Sequence, residues 1–164
     1  NFLQHSNICD VARKVAFEKT LGVGRPLPDL RNTKYMLIFG WNPMGAMKWA
    51  HLPRILVDGL ANGAKLVLVD PRCSETADKA LDYKGRWLPI RPGTDGDLAL
   101  GMANVIVRER LYDATFVNNW TVGFDKFAAF VANKTPDWAA RITGISADMP
   151  ISITQKEHTI AARR

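Results

Sequence analysis

Ala64-Lys65-Leu66-Val67-Leu68-Val69-Asp70-Pro71-Arg72-Cys73-Ser74-Glu75-Thr76 decides how this chain folds. Lys65 to Val69 is a short apolar run, entered through Asn62-Gly63 and stopped by Asp70-Pro71. No polar position alternates with the apolar ones. The run therefore predicts a strand buried on both faces, as in a parallel sheet covered by helices. Ligands of open sheets sit beyond the carboxyl ends of the strands. Asp70, Pro71 and Arg72 fall at such an end.

Upstream, Lys34-Tyr35-Met36-Leu37-Ile38-Phe39 predicts a second buried strand, ending in Gly40-Trp41-Asn42-Pro43-Met44-Gly45. A strand feeding a Gly/Asn/Pro loop and then a helix offers backbone N–H groups to a phosphate. The helix that follows has Leu52, Ile55, Leu56, Gly59 and Leu60 on one face, takes Pro53 in its first turn and stops at Gly63. Strand, helix and strand form a βαβ unit, which should be right-handed. A nicotinamide-dinucleotide site fits poorly. Gly40 and Gly45 do not make the G-x-G-x-x-G fingerprint, and Trp41, Pro43 and Met44 would crowd a pyrophosphate turn.

Downstream, Ser74 is placed to cap a short helix beginning Glu75-Thr76-Ala77. Arg86-Trp87-Leu88-Pro89-Ile90 reads as a third strand and Arg91-Pro92-Gly93-Thr94-Asp95 as its trailing loop. Thr94 then suits the N-cap of a long helix, with Asp97 as capping-box partner and Leu98, Met102, Val105 and Ile106 as core. Asp95 is either an ordinary first-turn acid facing the helix dipole or a ligand-reading carboxylate. Phe116 and Val117, then Phe124, Phe127, Ala128 and Val131, stand at core spacing on two short helices. Pro136 to Gly144 makes one more helix, capped by Thr135, and Ile153 to Ala162 reads as helical.

The 164 residues, 47% hydrophobic and 23% charged, suffice for one domain with a real core. There is no run of about 18 apolar residues, so no membrane span is expected. A net charge of +6 permits an anionic partner. The basic residues are scattered and do not interleave with aromatics, which argues against nucleic acid. Residues 1–32 read as a leading segment, 33–145 as the α/β domain and 146–164 as an extension that is expected to be truncated. Val11, Ala12, Val15, Ala16 and Lys19 form a weak helical stripe ending at Gly22, with His5, Ser6 and Cys9 at its start. A thiol there is either a small buried hydrophobe or a thiolate stabilised by the helix dipole and by Arg13 and Lys14.

Three strand-to-helix loops thus follow one another: Gly40-Trp41-Asn42-Pro43, then Val69-Asp70-Pro71-Arg72 with Ser74-Glu75-Thr76-Ala77, then Arg91-Pro92-Gly93-Thr94-Asp95. In this order and at these intervals they resemble the molybdopterin oxidoreductase family, which contains dimethyl sulfoxide reductase, periplasmic nitrate reductase and formate dehydrogenase. Trp120-Thr121-Val122-Gly123-Phe124 and Thr135-Pro136-Asp137-Trp138-Ala139 also look like segments of that family. The resemblance implies a bis(molybdopterin guanine dinucleotide) cofactor carrying molybdenum or tungsten. It makes this chain the dinucleotide-binding-like (Rossmann-like) three-layer α/β domain, with a mainly parallel sheet, that holds one guanosine arm. Gly40, Trp41, Asn42 and Pro43, then Asp70, Pro71 and Arg72, then Gly93, Thr94 and Asp95 become the cofactor-binding candidates. Arg72 is either a phosphate-facing fork or a surface charge. Asp95 is the candidate for reading guanine, because one carboxylate accepts from both N1–H and N2–H.

His5-Ser6-Asn7-Ile8-Cys9 resembles the setting of a metal-ligating Cys in the polysulfide, thiosulfate and arsenate reductase branch. That implies Cys9 as metal ligand and His5 near the substrate, or else as a structural histidine; a soft thiolate suits molybdenum. Cys73 matches nothing functional. The chain has no Cys-x-x-Cys cluster, so an iron–sulfur cluster is expected only in sequence before Asn1. The expected partners are the remaining domains of a longer parent chain and an iron–sulfur electron-transfer subunit. The resemblance favours a periplasmic parent, with the cytoplasm as the other option. The alternative to an enzyme fragment is a stand-alone nucleotide-binding or regulatory module without redox activity.

Overall fold

The computed structural model describes residues 11–23, 28–46 and 50–161, with side chains to residue 155 in the last helix. It divides into two compact units, Asn1–Leu30 and Arg31–Arg164. In the first, helix α1 (Val11–Leu21) ends at Gly22, whose φ of 72° suits glycine. The weak stripe of α1 buries no residue.

The second unit runs β1 (Tyr35–Phe39), α2 (Leu52–Ala61), β2 (Lys65–Val69), α3 (Glu75–Asp82), β3 (Arg86–Leu88), α4 (Asp95–Arg108), α5 (Ala114–Trp120), α6 (Phe124–Val131), α7 (Pro136–Thr143) and α8 (Asp148–Ala161). The fold is α/β. The sheet is three-stranded and parallel, in the order β1-β2-β3. Leu66 to Val69 are all buried, as a strand covered on both faces must be. β3 stops at Leu88, short of the expected Ile90, because Pro89 has no N–H to extend the ladder and the Ile90 N–H turns back to the Leu88 carbonyl.

Side chains alternate across a strand, so the two faces hold different cores. On one face Val67, Val69, Leu88 and Ile90 pack with Leu98 and Met102 of α4, Ile145, and Ile153 of α8. The last helix therefore belongs to the core. Leu66 and Leu68 point the other way, where right-handed crossovers place α2 and α3 with buried Leu56, Leu60, Ala77 and Ala80. On α4, Leu98, Met102 and Val105 are buried as expected, Ile106 is half-buried, and Gly101 and Asn104 join the buried face. A Cβ on Gly101 would stand 2.8 Å from that of Ala139, so α4 and α7 meet at a glycine.

The aromatic residues of α5 and α6 depart from expectation. Phe116, Trp120, Phe127 and Phe130 are 56, 78, 43 and 57% exposed, and Val131 is the buried residue of α6. Spacing reports that a helix has an apolar face but not whether anything covers it. What ties α6 to α4 is polar: the buried Asn104 amide donates to the carbonyls of Val131 (2.8 Å) and Ala132 (3.1 Å). Asn104→Ala should cost about 1 kcal/mol, since the Val131 carbonyl keeps the Lys134 N–H at 2.9 Å and only the Ala132 carbonyl loses this donor. Amide hydrogen exchange would report it as faster opening of Phe124–Val131, with β2 unchanged.

Candidate functional site

The three strands end on one rung, Phe39 beside Val69 and Val69 beside Leu88. Their trailing loops therefore leave the sheet side by side, about 5 Å from strand to strand. The loop after β2 leads to α3 on one face, and the loop after β3 leads to α4 on the other. Neighbouring connections that diverge in this way open a crevice at the carboxyl edge, the topological switch point of an open α/β sheet. Asp70 follows β2 and Asp95 opens α4, one on each of the two diverging connections.

The first loop is held mainly by its own chain. Gly40, with a φ of 54°, extends the ladder by donating to the Val69 carbonyl at 2.9 Å. Its left-handed conformation is one that L side chains rarely adopt. Asn42 then acts as a hub. Its Oδ1 accepts from the Thr76 hydroxyl (2.7 Å), the Thr76 N–H (3.2 Å) and the Gly45 N–H (3.3 Å). Its Nδ2 donates to Glu75 Oε2 at 2.7 Å. The Met44 N–H goes to Thr76 Oγ1 at 3.1 Å, and the Ala46 N–H to the Asn42 carbonyl at 2.8 Å. The run of phosphate-facing N–H groups expected here is thus mostly consumed. Among the described residues, only the Trp41 and Asn42 N–H groups of Gly40 to Ala46 lack a protein acceptor. Trp41 is half-buried, and Pro43 is fully buried beneath the loop.

Asn42 also changes the second loop. Ser74 occupies the N-cap of α3, but its hydroxyl makes no capping bond; Asn42 Oδ1 caps the Thr76 N–H in its place. Ser74 Oγ is left buried and without a partner. Asp70 anchors its own turn, accepting from the Arg72 N–H at 2.8 Å, while its carbonyl accepts from Trp87 Nε1 at 2.8 Å. Pro71 and Arg72 are exposed, and Arg72 reaches Glu75 Oε2 at 3.4 Å. Hydrogen bonds from its own backbone N–H and from Asn42, helped by Arg72, hold the Glu75 carboxyl below the usual carboxylate range. The free thiol of Cys73 is exposed.

The third loop is a type II turn. Arg91-Pro92-Gly93-Thr94 closes with the Thr94 N–H on the Arg91 carbonyl at 3.3 Å, and Gly93 has a φ of 80°. The capping box expected of Thr94 and Asp97 is absent. Thr94, as the last residue of the turn, has φ −113° and ψ 16°, and its hydroxyl donates back to the Arg91 carbonyl at 2.7 Å. Among the described residues the N–H groups of Asp95 and Gly96 then find no protein acceptor. Asp95 is half-buried in the first turn. Arg91 anchors the loop through its Nη1, which donates to the carbonyls of Arg141 (3.0 Å) and Ile142 (3.2 Å) at the end of α7. Nothing in the sequence signalled the roles of Thr76 and Arg91, because their partners lie tens of residues away.

His5 and Cys9 lie outside the described residues. Among the described residues no His/Cys/Asp/Glu cluster could hold a metal ion, and no helix is long and apolar enough to cross a membrane.

Comparison with known proteins agrees with this architecture. Residues 2–159 match the family model of molybdopterin oxidoreductase. The molybdopterin-containing subunit of thiosulfate reductase from Salmonella typhimurium, PhsA, is 34% identical over 95% of this chain and 20% of its own length. The molybdopterin-containing subunit of arsenate respiratory reductase from Chrysiogenes arsenatis, ArrA, is 33% identical over 88% of this chain and 20% of its own. Among solved structures, acetylene hydratase from Pelobacter acetylenicus superposes with a TM-score of 0.68 at 36% identity, over 76% of this chain and 17% of that one. The chain spans about a fifth of the length of the curated relatives it matches. With the family model covering nearly every residue and the parallel sheet beneath it, the chain belongs to the molybdopterin oxidoreductase family.

Proposed function

We propose that this chain is the α/β portion of a molybdenum or tungsten oxidoreductase and grips one guanosine arm of a bis(molybdopterin guanine dinucleotide) cofactor. The observation that supports this reading is the divergence of the loops after β2 and β3, the first carrying Asp70 and the second Asp95. The donor set suits an anionic nucleotide. The buried Ser74 hydroxyl has no protein partner, and the first-turn N–H groups of Asp95 and Gly96 have no protein acceptor. Exposed Arg72 lies on the same loop as Asp70 and pairs with Glu75 at 3.4 Å.

When bound, the cofactor supplies two-electron redox chemistry, which in the parent would serve oxygen or sulfur atom transfer on a small substrate. This chain's residues bind and orient. Asp95 accepts from the two N–H groups on the guanine edge, a pair that adenine lacks, and so selects the base. Asp70, with Oδ1 committed to its turn, has Oδ2 left for a sugar hydroxyl. Asn42, its amide committed to Thr76, Gly45 and Glu75, positions the first loop. Cys9 would ligate the metal through its thiolate, with His5 near the substrate.

The full-length protein tests this. Asp95→Ala should lower the guanosine monophosphate released per polypeptide on acid hydrolysis roughly tenfold, the worth of a charge-assisted hydrogen-bond pair. Unchanged guanine content would defeat the base-reading role. Cys9→Ser should leave guanine content intact while turnover falls at least tenfold. Full molybdenum occupancy with unchanged turnover would remove Cys9 from the metal.

A further inference from the structure

The opposite edge of the sheet holds a second concavity. A cavity of about 250 Å³ lies where the strands begin, lined by Tyr35, Lys65 and Arg86, the first residues of β1, β2 and β3, and by Lys84 and Ser152. Its apolar walls include Leu66, Val67 and Ile153. Three cations from two places in the chain converge here, and none of the lining residues is acidic. Lys65, Lys84 and Arg86 make no ion pair among the described residues; Arg86 Nη1 touches only Met149 Sδ, at 3.1 Å. Like charges gathered around one concavity repel, and an anion seated among them relieves that repulsion.

Lys84 carries a second signal. The end of α3 closes with the Lys84 N–H on the Leu81 carbonyl (2.9 Å) and the Gly85 N–H on the Ala80 carbonyl (2.7 Å). This Schellman pattern puts the left-handed residue, ordinarily glycine, at position 84, and Lys84 has a φ of 57° there. A charged side chain thus stands where the backbone favours none.

We propose that this cavity binds a phosphate dianion, free or as a small phosphomonoester. Arg86 would supply the planar fork, and Lys65 and Lys84 the point charges. The strand length of β2 separates the cavity from the carboxyl-edge crevice by roughly 13 Å, so the two sites are independent.

The test uses the cofactor-loaded full-length protein, titrated calorimetrically with inorganic phosphate and with phenyl phosphate at constant ionic strength. Wild type should bind at least one of them with millimolar or tighter affinity and gain melting temperature in its presence. Lys84→Gly should raise the melting temperature without phosphate, by relieving the left-handed strain, and weaken phosphate binding tenfold or more. Arg86→Gln should weaken binding similarly, and Lys65→Arg should retain it. Equal affinity for the two probes assigns free phosphate; a tenfold preference for phenyl phosphate assigns the ester. The proposal is overturned if wild type binds neither, as when an acidic segment of the parent covers the cavity. Binding undiminished in the Lys84→Gly/Arg86→Gln double variant overturns it equally.

Discussion

Gly85→Ala should destabilise the chain by about 3 kcal/mol or more, lowering its melting temperature by roughly 6–12 °C in a thermal scan followed by circular dichroism. Gly85 lies between the end of α3 and the start of β3, with an ordinary negative φ, so its backbone conformation is open to alanine. Space is what forbids the substitution. A Cβ at 85 would stand 2.2 Å from the Leu66 carbonyl oxygen and 2.8 Å from that of Ala80. Both obstacles are backbone, one in the central strand and the other accepting the hydrogen bond that closes α3, so neither swings aside as a side-chain tip would. The strand has to move away from the helix. Gly96→Ala is the control. A Cβ there meets nothing within 4 Å, so it should stabilise α4 by about 0.5–1 kcal/mol. Equal effects at the two positions would show that crowding at Gly85 is not what matters.

Asn42→Ala should cost about 2–3 kcal/mol, the sum of a lost helix cap and stranded donors. The Thr76 N–H and hydroxyl would lose their acceptor, while the Gly45 N–H keeps the backbone carbonyl of residue 42 at 3.2 Å. In the full-length protein the same variant should reduce cofactor retention, because the first loop would no longer be fixed to α3. Glu75 gives a separate readout. Its folded carboxyl is held low, partly by Asn42, so its contribution is complete above the ordinary carboxylate pKa and fades as pH falls through the lowered value. In Asn42→Ala the Glu75 titration should move up toward the unperturbed value, followed by carbon-detected NMR. A Glu75 curve that does not move would mean that Asn42 Nδ2 does not hold this carboxylate.

Much of the fold was legible in the residues alone, and for a local reason. Lys65 to Val69 announces a doubly buried strand because four consecutive positions, Leu66 to Val69, need cover on both faces. Pro53 and Gly63 bracket α2 because each constrains its own backbone. Thr135 caps α7 as read, accepting from the Trp138 N–H at 3.2 Å, because a cap and its target lie three residues apart. The order of the three loops, and with it the family, rests on such short-range features strung along the chain.

Tertiary structure decided which groups remain available to a ligand. Asn42 and Thr76 meet across 34 residues, and that one contact takes the capping role from Ser74, leaves its hydroxyl orphaned and consumes the N–H groups of the first loop. Spacing on α5 and α6 foresaw apolar faces, yet Phe116 and Phe127 stay uncovered, since cover depends on what another element brings. Lys65 likewise meets Lys84 and Arg86 only once β2 and β3 align. Sequence pattern fixes what each residue prefers within a turn or a strand. Parallel register brings distant loops within hydrogen-bond reach, and that reach settles which donors and charges are already spent.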